Sequence, residues 1–479
     1  MSRKSWTLTV VCAASFMLLL DVTIVNVALP DIQHGLTAKL SDLQWVTDAY
    51  ALTLAALLLT AGSFADRCGR RRVFLVGLAI FTLASLICGV AGSPLMLIAA
   101  RAVQGVGGAI VFPTSLALLA STFQGKERGM AFGVWGAVAG MATALGPLVG
   151  GAIATGIGWR GIFLVNLPIG ALTIAIAAFM VDESRSPHAA RIDWPGVVSF
   201  TAGLFSLVYG LIRATDTGWT EAGVIVCFGL AAVFLTAFVV IQSRVREPMF
   251  DLSLLRTPTF LGGSVAAFAM NGALNAMFLY IVLYLQSGLG ISAFGTGLRL
   301  LIVSAGSVIA ATVAGRLSSQ LPVRWLIGPG LVLEGIGLLA MLGLDARSDW
   351  THLVPGLVIS GVGIGLVAPP LSSTAVGVVP VHRSGMASGI NQTFRQLGIA
   401  VGIALYGTMF SASMRTGSGF PTALNELLLT SGVVAVVSGV AAFGLIRTKD
   451  FVATAGPTVA PAPTPARHGV ADPAARLDG

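Results

Sequence analysis

The sequence predicts an all-α integral membrane protein of about fourteen spanning helices, two six-helix bundles with two additional central helices between them. Three observations predict it. Of 479 residues, 55% are hydrophobic and only 10% charged, against about 25% charged in water-soluble domains. The apolar residues gather into fourteen stretches near the ~20 residues that a helix needs to cross a bilayer. The basic residues collect in alternate loops. With the N-terminus in the cytoplasm, eighteen Lys and Arg lie in or beside inside loops and only five (Lys39, Arg160, Arg213, Arg347, Arg415) outside. That bias orients membrane proteins. An odd helix count would scramble it, so both termini are expected to be cytoplasmic.

In chain order the spans fall at 7–29, 45–64, 73–92, 95–118, 130–155 and 162–181, then 196–212 and 222–242. Six more fall at 259–285, 293–314, 325–344, 352–376, 386–410 and 424–446. The first stretch lacks a small-residue cleavage site and runs into a polar motif, so it reads as a retained helix and not as a signal peptide. The 59 glycines suit helices that approach closely in lipid. Past Lys449 the chain turns Pro- and Ala-rich (PTVAPAPTPAR) and reads as a disordered tail. The expected organisation is residues 1–185 for the first bundle, 186–258 for the added pair and its linkers, 259–446 for the second bundle, and 447–479 for a cytoplasmic tail.

An internal repeat supports two related halves. GMAFG at 129–133 recurs as GMASG at 385–389, and at the same shift Gly105, Gly107 and Pro113 fall on Gly361, Gly363 and Pro369. AGSFADRCGRRRVFLVG (61–77) aligns with AGRLSSQLPVRWLIGPG (314–330). Parallel halves related by an axis along the membrane normal are a transporter design, with the binding site between them.

Other function classes are excluded by what the sequence lacks. It has no phosphate loop and no nucleophile–base constellation, and no loop is long enough to hold one. Cys12, Cys68, Cys88 and Cys227 have neither metal-ligand nor disulfide spacing, and the five histidines are scattered. No enzyme activity, cofactor, metal or ATP requirement is expected. The net charge of +8 is topology information from the loops and does not call for a nucleic-acid partner.

The second loop reads Gly62-x-x-x-Asp66-Arg67-x-Gly69-Arg70-Arg71. Glycine permits a tight reversal, the arginines hold the loop inside, and Asp66 can pair locally or face a helix N-terminus across the bundle. This spacing resembles the signature loop of the major facilitator superfamily, in which the aspartate is thought to latch the two halves. The second-half copy carries Ser319 in its place, so one such latch is expected. LDVTIVNVALP (20–30), which includes Asn26, looks like the first-helix motif of the fourteen-helix drug:proton antiporters, the EmrB/QacA-like group. Arg101-x-x-Gln104-Gly105-x-Gly107 is similar to that family's buried-arginine motif. Gly146-Pro147-x-x-Gly150-Gly151 is similar to its antiporter motif, with Ala142 where the family pattern has glycine. Proline removes a backbone hydrogen bond and the glycines allow close approach, so a bend or pivot is expected there. WRGIFLVNLP (159–168) and the run from Gly385 to Gly407 also look like this group.

Ionisable residues inside a membrane are functional candidates by default. Asp21 sits ~22 Å along the first helix at 1.5 Å per residue, where a bare carboxylate is expensive and a proton relieves the cost. Asp48 lies near the outer start of helix 2, at a level close to that of Asp21. Arg101 is a cation able to hold Asp21 ionised until a proton or a cationic substrate competes. Glu334 is the only carboxylate well inside a helix of the second half. These four form the expected proton-coupling set, with a structural ion pair or interfacial solvation as the alternatives. Candidate substrate contacts are Asn26, Asn271 and Asn275 (one face at α-helical spacing), Tyr280, Tyr284, and the patch Gln392, Phe394, Arg395 and Gln396.

The resemblance implies proton-coupled export of amphiphilic drugs or antibiotics across a bacterial cell membrane, with a small-molecule substrate, protons and the bilayer as partners and a monomer as the working unit. Proton-coupled uptake of a small solute, and a transport-inactive sensor or lipid-export accessory protein, are the open alternatives.

Overall fold

The computed structural model describes residues 2–451 apart from 124, 186–192, 246–247, 319, 380–383 and 418; the side chains of Asp66 and Asn275 also lie outside the described residues. Of the expected tail only residues 447–451 are described; there Thr448–Asp450 form a 3₁₀ turn and Asp450 accepts from the Thr259 hydroxyl, while the rest of the tail and Ser319 lie outside the described residues. The described chain is helical throughout. Helices α1 (Arg3–Leu36), α2 (Leu40–Cys68), α3 (Arg70–Gly89), α4 (Pro94–Thr122), α5 (Gly125–Ile157) and α6 (Gly161–Met180) come first. Then follow α7 (Trp194–Thr217) and α8 (Ala222–Arg244). The last six are α9 (Pro258–Gly288), α10 (Ala293–Leu317), α11 (Arg324–Leu339), α12 (Val354–Gly377), α13 (Ser384–Arg415) and α14 (Gly419–Leu445). Twelve of the described helices are long and apolar enough to cross a membrane. Helices α2, of 29 residues, and α11, of 16, stand in addition to those twelve.

At the two extremes of burial, the more exposed span is the more apolar, as suits a protein whose solvent is lipid. The most apolar span, α8, has a mean hydropathy of 2.9 and only 17% of its window buried, whereas α9, at 1.7, is 82% buried. Exposed Ile225, Val226 and Val233 on α8 belong against acyl chains. The less apolar α9 occupies the interior, between α13 and α14 on one side and α1 on the other.

Small residues set the helix spacing. A Cβ on Gly105 would sit 2.7 Å from the Tyr50 carbonyl of α2, and one on Gly107 2.6 Å from the Phe81 nitrogen of α3, so α4 nests against both backbones. Gly398 of α13 meets the Phe268 carbonyl of α9 at 2.2 Å in the same sense, and Gly363 meets the Glu334 nitrogen at 2.5 Å. With no hydrophobic force between helices in lipid, this backbone-to-backbone packing supplies the attraction.

Two local features add to the sequence reading. Gly62 lies inside α2, as the span 45–64 predicts, facing Pro113 at ordinary contact distance; the reversal between α2 and α3 falls on Gly69, with φ +108°. Helix α9 opens into π turns at Asn271–Asn275 and Tyr284–Gly288, where i→i+5 hydrogen bonds replace the α-helical ones.

Replacing Gly398 by Leu drives a side chain into the α9 backbone. Overpacking of this kind costs about 1–3 kcal/mol, so the thermal midpoint in detergent is expected to fall; an unchanged midpoint would show that α9 and α13 do not pack as closely as described.

Candidate functional site

The deepest polar cluster is built around Asp21. Its Oδ2 lies 2.6 Å from Nη1 of Arg101, and its Oδ1 accepts from Gln104 Nε2 at 2.9 Å and from Asn166 Nδ2 at 3.0 Å. Arg101 also donates to Gln104 Oε1 at 2.7 Å and, through Nε, to the Val46 carbonyl at 3.1 Å. Ser85 Oγ receives Gln104 at 2.8 Å and Asn166 at 3.3 Å. The guanidinium carbon stands 4.3 Å from the centre of the Tyr50 ring, so its face is covered by π density. Asp21, Ser85, Arg101, Gln104 and Asn166 are at most 1% exposed. One ion pair thus ties together α1, α2, α3, α4 and α6, with its charges paired and hydrogen-bonded, the condition for burying them at all. Sequence reasoning found Asp21 and Arg101 and left Gln104 and Asn166 unassigned, although both lie within the quoted motifs.

Asp48 and Glu334 are in the opposite situation. Each is 0% exposed, and neither oxygen of either carboxyl has a hydrogen-bond partner. Asp48 lies on α2 between Val46 and Tyr50 in the chain, and its oxygens are not part of the Asp21 network. Glu334 lies on α11, in the last six helices. Unpaired charge at such depth is costly, and a bound proton removes the charge.

The candidate substrate residues are dispersed. Asn271 is 7% exposed and turns back to the Ala267 carbonyl at 2.9 Å. Tyr280 is wholly buried and donates to the Ile403 carbonyl at 3.0 Å. Tyr284 reaches the Ser348 carbonyl at 3.3 Å and packs on Phe420, which places it at the end of the bundle beside the 340–353 connection. Asn26, Gln392, Phe394 and Arg395 are half-buried; Arg395 bonds Asn391 Oδ1 and Ser372 Oγ, Phe394 meets Phe250, and Gln396 is 6% exposed. An apolar groove of about 440 Å³ lies between α1, α5 and α6, lined by residues including Cys12, Phe16, Val134 and Ile169.

The Gly-Pro motif joins the first six helices to the last six. Cβ atoms on Gly146 and Gly150 would strike Thr23 and Ile24 of α1, while one on Gly151 would meet the Ala293 carbonyl of α10 at 2.4 Å. Reciprocally, Gly297 of α10 sits where a Cβ would be 2.2 Å from the Pro147 carbonyl. At this same end Gln286 of α9 donates to the Val27 carbonyl at 2.7 Å, and Gln44 of α2 to the Ile403 carbonyl of α13 at 2.9 Å. These contacts close the end of the bundle opposite the N-terminus.

At the N-terminal end, the Arg-rich loop is anchored by a carboxylate that sequence reasoning passed over. Glu183 accepts the backbone N–H groups of Arg71 (3.0 Å) and Arg72 (3.2 Å), capping α3. Arg71 Nη2 donates to the Ala178 carbonyl at 2.7 Å, and Arg67 and Arg70 also have partners. The expected Asp66 latch lies outside the described side chains.

The chain matches the profile of the Major Facilitator Superfamily over residues 11–403, and again over 264–471. It is 38% identical to the "Multidrug resistance protein Stp" of Mycobacterium tuberculosis, over 83% of this chain and 74% of that one. It is 35% identical to a "Probable actinorhodin transporter" of Streptomyces coelicolor, over 85% and 73%. It is 36% identical to the "Cephamycin export protein CmcT" of Amycolatopsis lactamdurans, over 93% and 91%. Among solved structures it resembles a bacterial homolog of the human lysosomal transporter Spinster, inward-facing and unoccupied, with a TM-score of 0.66 at 18% identity over 95% of this chain and 99% of that one. It also resembles the peptide transporter POT, with a TM-score of 0.67 at 14% identity over 91% and 93%. These two likenesses show the fold.

Two outcomes are expected from this geometry. Arg101→Met or Asp21→Leu alone leaves a bare buried charge and is expected to cost about 3–5 kcal/mol in unfolding experiments. The double variant should recover a large part of that loss, and strictly additive losses would mean that the pair is not coupled. Separately, Gly297→Val cannot keep the α5–α10 contact, so spin labels at Ile157 and Ser287 should report a larger population of long distances than in the parent protein.

Proposed function

We propose that this chain, which belongs to the Major Facilitator Superfamily, is a proton-coupled exporter of amphiphilic drugs or antibiotics in the bacterial cell membrane. Its relatives carry names such as multidrug resistance, antibiotic resistance and antibiotic export proteins, which supports the substrate class. The observation that carries the coupling is the pair of wholly buried, unpartnered carboxyls, Asp48 and Glu334, one in the first six helices and one in the last six.

In this reading Asp48 and Glu334 take up protons when the side opposite the N-terminus is open and release them when the other side opens. Asp21 and Arg101 act as the lock between them and the scaffold, because a proton or a cationic substrate at Asp21 frees the guanidinium. Gly146, Pro147, Gly150 and Gly151 form the pivot seam. Gly62, Asp66, Arg67, Gly69, Arg70 and Arg71 form the latch on the cytoplasmic side, steadied by Glu183. The half-buried Asn26, Gln392, Phe394 and Arg395, together with Gln396, Asn271, Asn275, Tyr280 and Tyr284, contact substrate as the halves part.

The topology proposed with this function counts α2 and α11 as spans beside the twelve described, for fourteen in all, as in the EmrB/QacA-like branch. Residues 1–185 and 259–446 form the two bundles and 186–258 the added pair. Both termini are cytoplasmic and the monomer transports. Energy comes from the proton gradient without ATP or a cofactor.

The test is flux in proteoliposomes of purified protein, with an imposed pH gradient as the only energy source and a panel of lipophilic cations and aromatic antibiotics. Substrate-dependent proton movement opposite to the drug is expected. Asp48→Asn, Glu334→Gln and Asp21→Asn should each reduce gradient-driven accumulation at least tenfold while leaving a monodisperse protein. Full accumulation in all three variants would sink the coupling assignment.

A further inference from the structure

Three arginines lie within the spans, Arg101, Arg299 and Arg395, and two of them are covered. Arg101 holds Asp21 at 2.6 Å. Arg299 lies against the Trp350 ring, 4.6 Å from its centre, and donates to the Gly295 carbonyl. Arg395 has no acid against it among the described residues. Its Nε donates to Asn391 Oδ1 at 3.3 Å and its Nη2 to Ser372 Oγ at 3.2 Å. Both acceptors are neutral and both distances are long for such bonds. The acceptors are themselves held from elsewhere: the Asn391 amide donates to the Gly263 carbonyl of α9 at 3.5 Å, and the Ser372 hydroxyl to the Ala368 carbonyl at 3.3 Å. Each therefore turns an oxygen, and no charge, towards the guanidinium. The other terminal nitrogen, Nη1, has no partner among the described residues, and it keeps accessible surface.

The position of Arg395 matters as much as its lack of a partner. It stands about 16 Å along α13 from Ser384, and about two turns short of Ile403, where Gln44 of α2 meets that helix. Among the described residues, the hydrogen bonds that join the first six helices directly to the last six lie beyond that level: Gln44 to Ile403, Gln286 to Val27, and the Phe294 N–H to Thr155 Oγ1 at 3.1 Å. None of them crosses at the level of Arg395. Gln392, three residues earlier and so on the same helix face, is half-buried and also makes no hydrogen bond among the described residues. Half-buried Phe394 and Leu397 supply apolar surface nearby in the chain. An unanswered cation, an amide with its donors unused and apolar side chains thus stand together on the side where the halves are not tied.

A cation at this depth is expensive unless something pairs with it. Interhelical glue explains why Asn391 reaches Gly263, but a neutral side chain at 395 would serve that purpose as well. A guanidinium presents parallel N–H donors that match a carboxylate two at a time. We infer that Arg395 and Gln392 receive the acid group of the transported molecule, so that the substrate is an amphiphilic organic carboxylate. Nη1 is free to bind it, Nη2 joins on release from Ser372, and the Gln392 amide adds a neutral donor. Asp21 is then left to the proton. This inference rests on the exporter reading above and narrows its substrate class. An anionic lipid headgroup has the same chemistry; the distance of Arg395 from the start of α13 favours a molecule that enters between the halves.

Equilibrium dialysis of the full-length protein in nanodiscs of neutral lipid, with empty discs subtracted, tests it. Three aromatic probes are compared: pyrenebutyrate, its uncharged N-methylamide, and tetraphenylphosphonium. The parent protein is expected to bind the carboxylate at least tenfold more tightly than the amide. Arg395→Gln should erase that preference and leave the affinity for the amide unchanged, and Arg395→Lys should restore part of it. A purely structural arginine would instead weaken all probes alike. If Arg395→Gln keeps the preference, or if the parent binds the phosphonium more tightly than the carboxylate, the anion site is wrong while the exporter reading stands. If phosphatidylglycerol added to the discs displaces pyrenebutyrate from the parent, the site belongs to a lipid headgroup and the substrate assignment falls. If no probe binds, the inference falls, and the flux experiment above decides whether the exporter reading falls with it.

Discussion

The ion pair between Asp21 and Arg101 is the contact on which the first six helices depend. A carboxylate and a guanidinium in hydrocarbon are tolerable only with each other and with every remaining donor and acceptor engaged. Gln104, from the helix of Arg101 itself, and Asn166, Ser85, the Val46 carbonyl and the Tyr50 ring, from three further helices, meet that condition. The arrangement fixes the rotation of each helix about its own axis, because an amide or serine turned away would leave a charge bare. The carboxyls of Asp48 and Glu334 gain their meaning against this background. The same chain that satisfies one acid so thoroughly leaves two others, among the described residues, buried without a partner, and that contrast sets the proposed proton sites apart from the scaffold.

Backbone proximity is the second constraint. Glycines at 105, 107, 363 and 398 let helices touch through their main chains, those at 150, 151 and 297 do so across α1, α5 and α10, and Gly146 makes room for the Thr23 side chain. The two sets differ in consequence. The first set holds helices within one bundle. Gly151 and Gly297 lie where one bundle meets the other, so the same absence of a side chain there favours one closed end over its opening.

Much of this was legible in the sequence. Each predicted span overlaps a helix within a few residues, because a continuous apolar stretch in lipid has no other way to satisfy its backbone. Asp21 and Arg101 stood out as charges at bilayer depth. Their amide partners did not, since Gln104 and Asn166 carry no charge and are separated from Asp21 by 83 and 145 positions. Glu183 escaped for the same reason: its partners at Arg71 and Arg72 lie more than a hundred residues away. The π turn that holds Asn271 and Asn275 was not legible, because apolar periodicity does not register one inserted residue. Gly62 already fell inside the predicted span 45–64, and the backbone shows that the turn after it is made at Gly69.

Helix α7 touches both α2 and α13, one from each bundle, and carries α8 on its outer side. Only 17% of the apolar window of α8 is buried against the rest of the described chain. The two helices therefore stand like an outrigger, with α8 outboard and α7 as the arm set against the first six helices and the last six. A load applied to α8 would pass to α2 and α13 by way of α7.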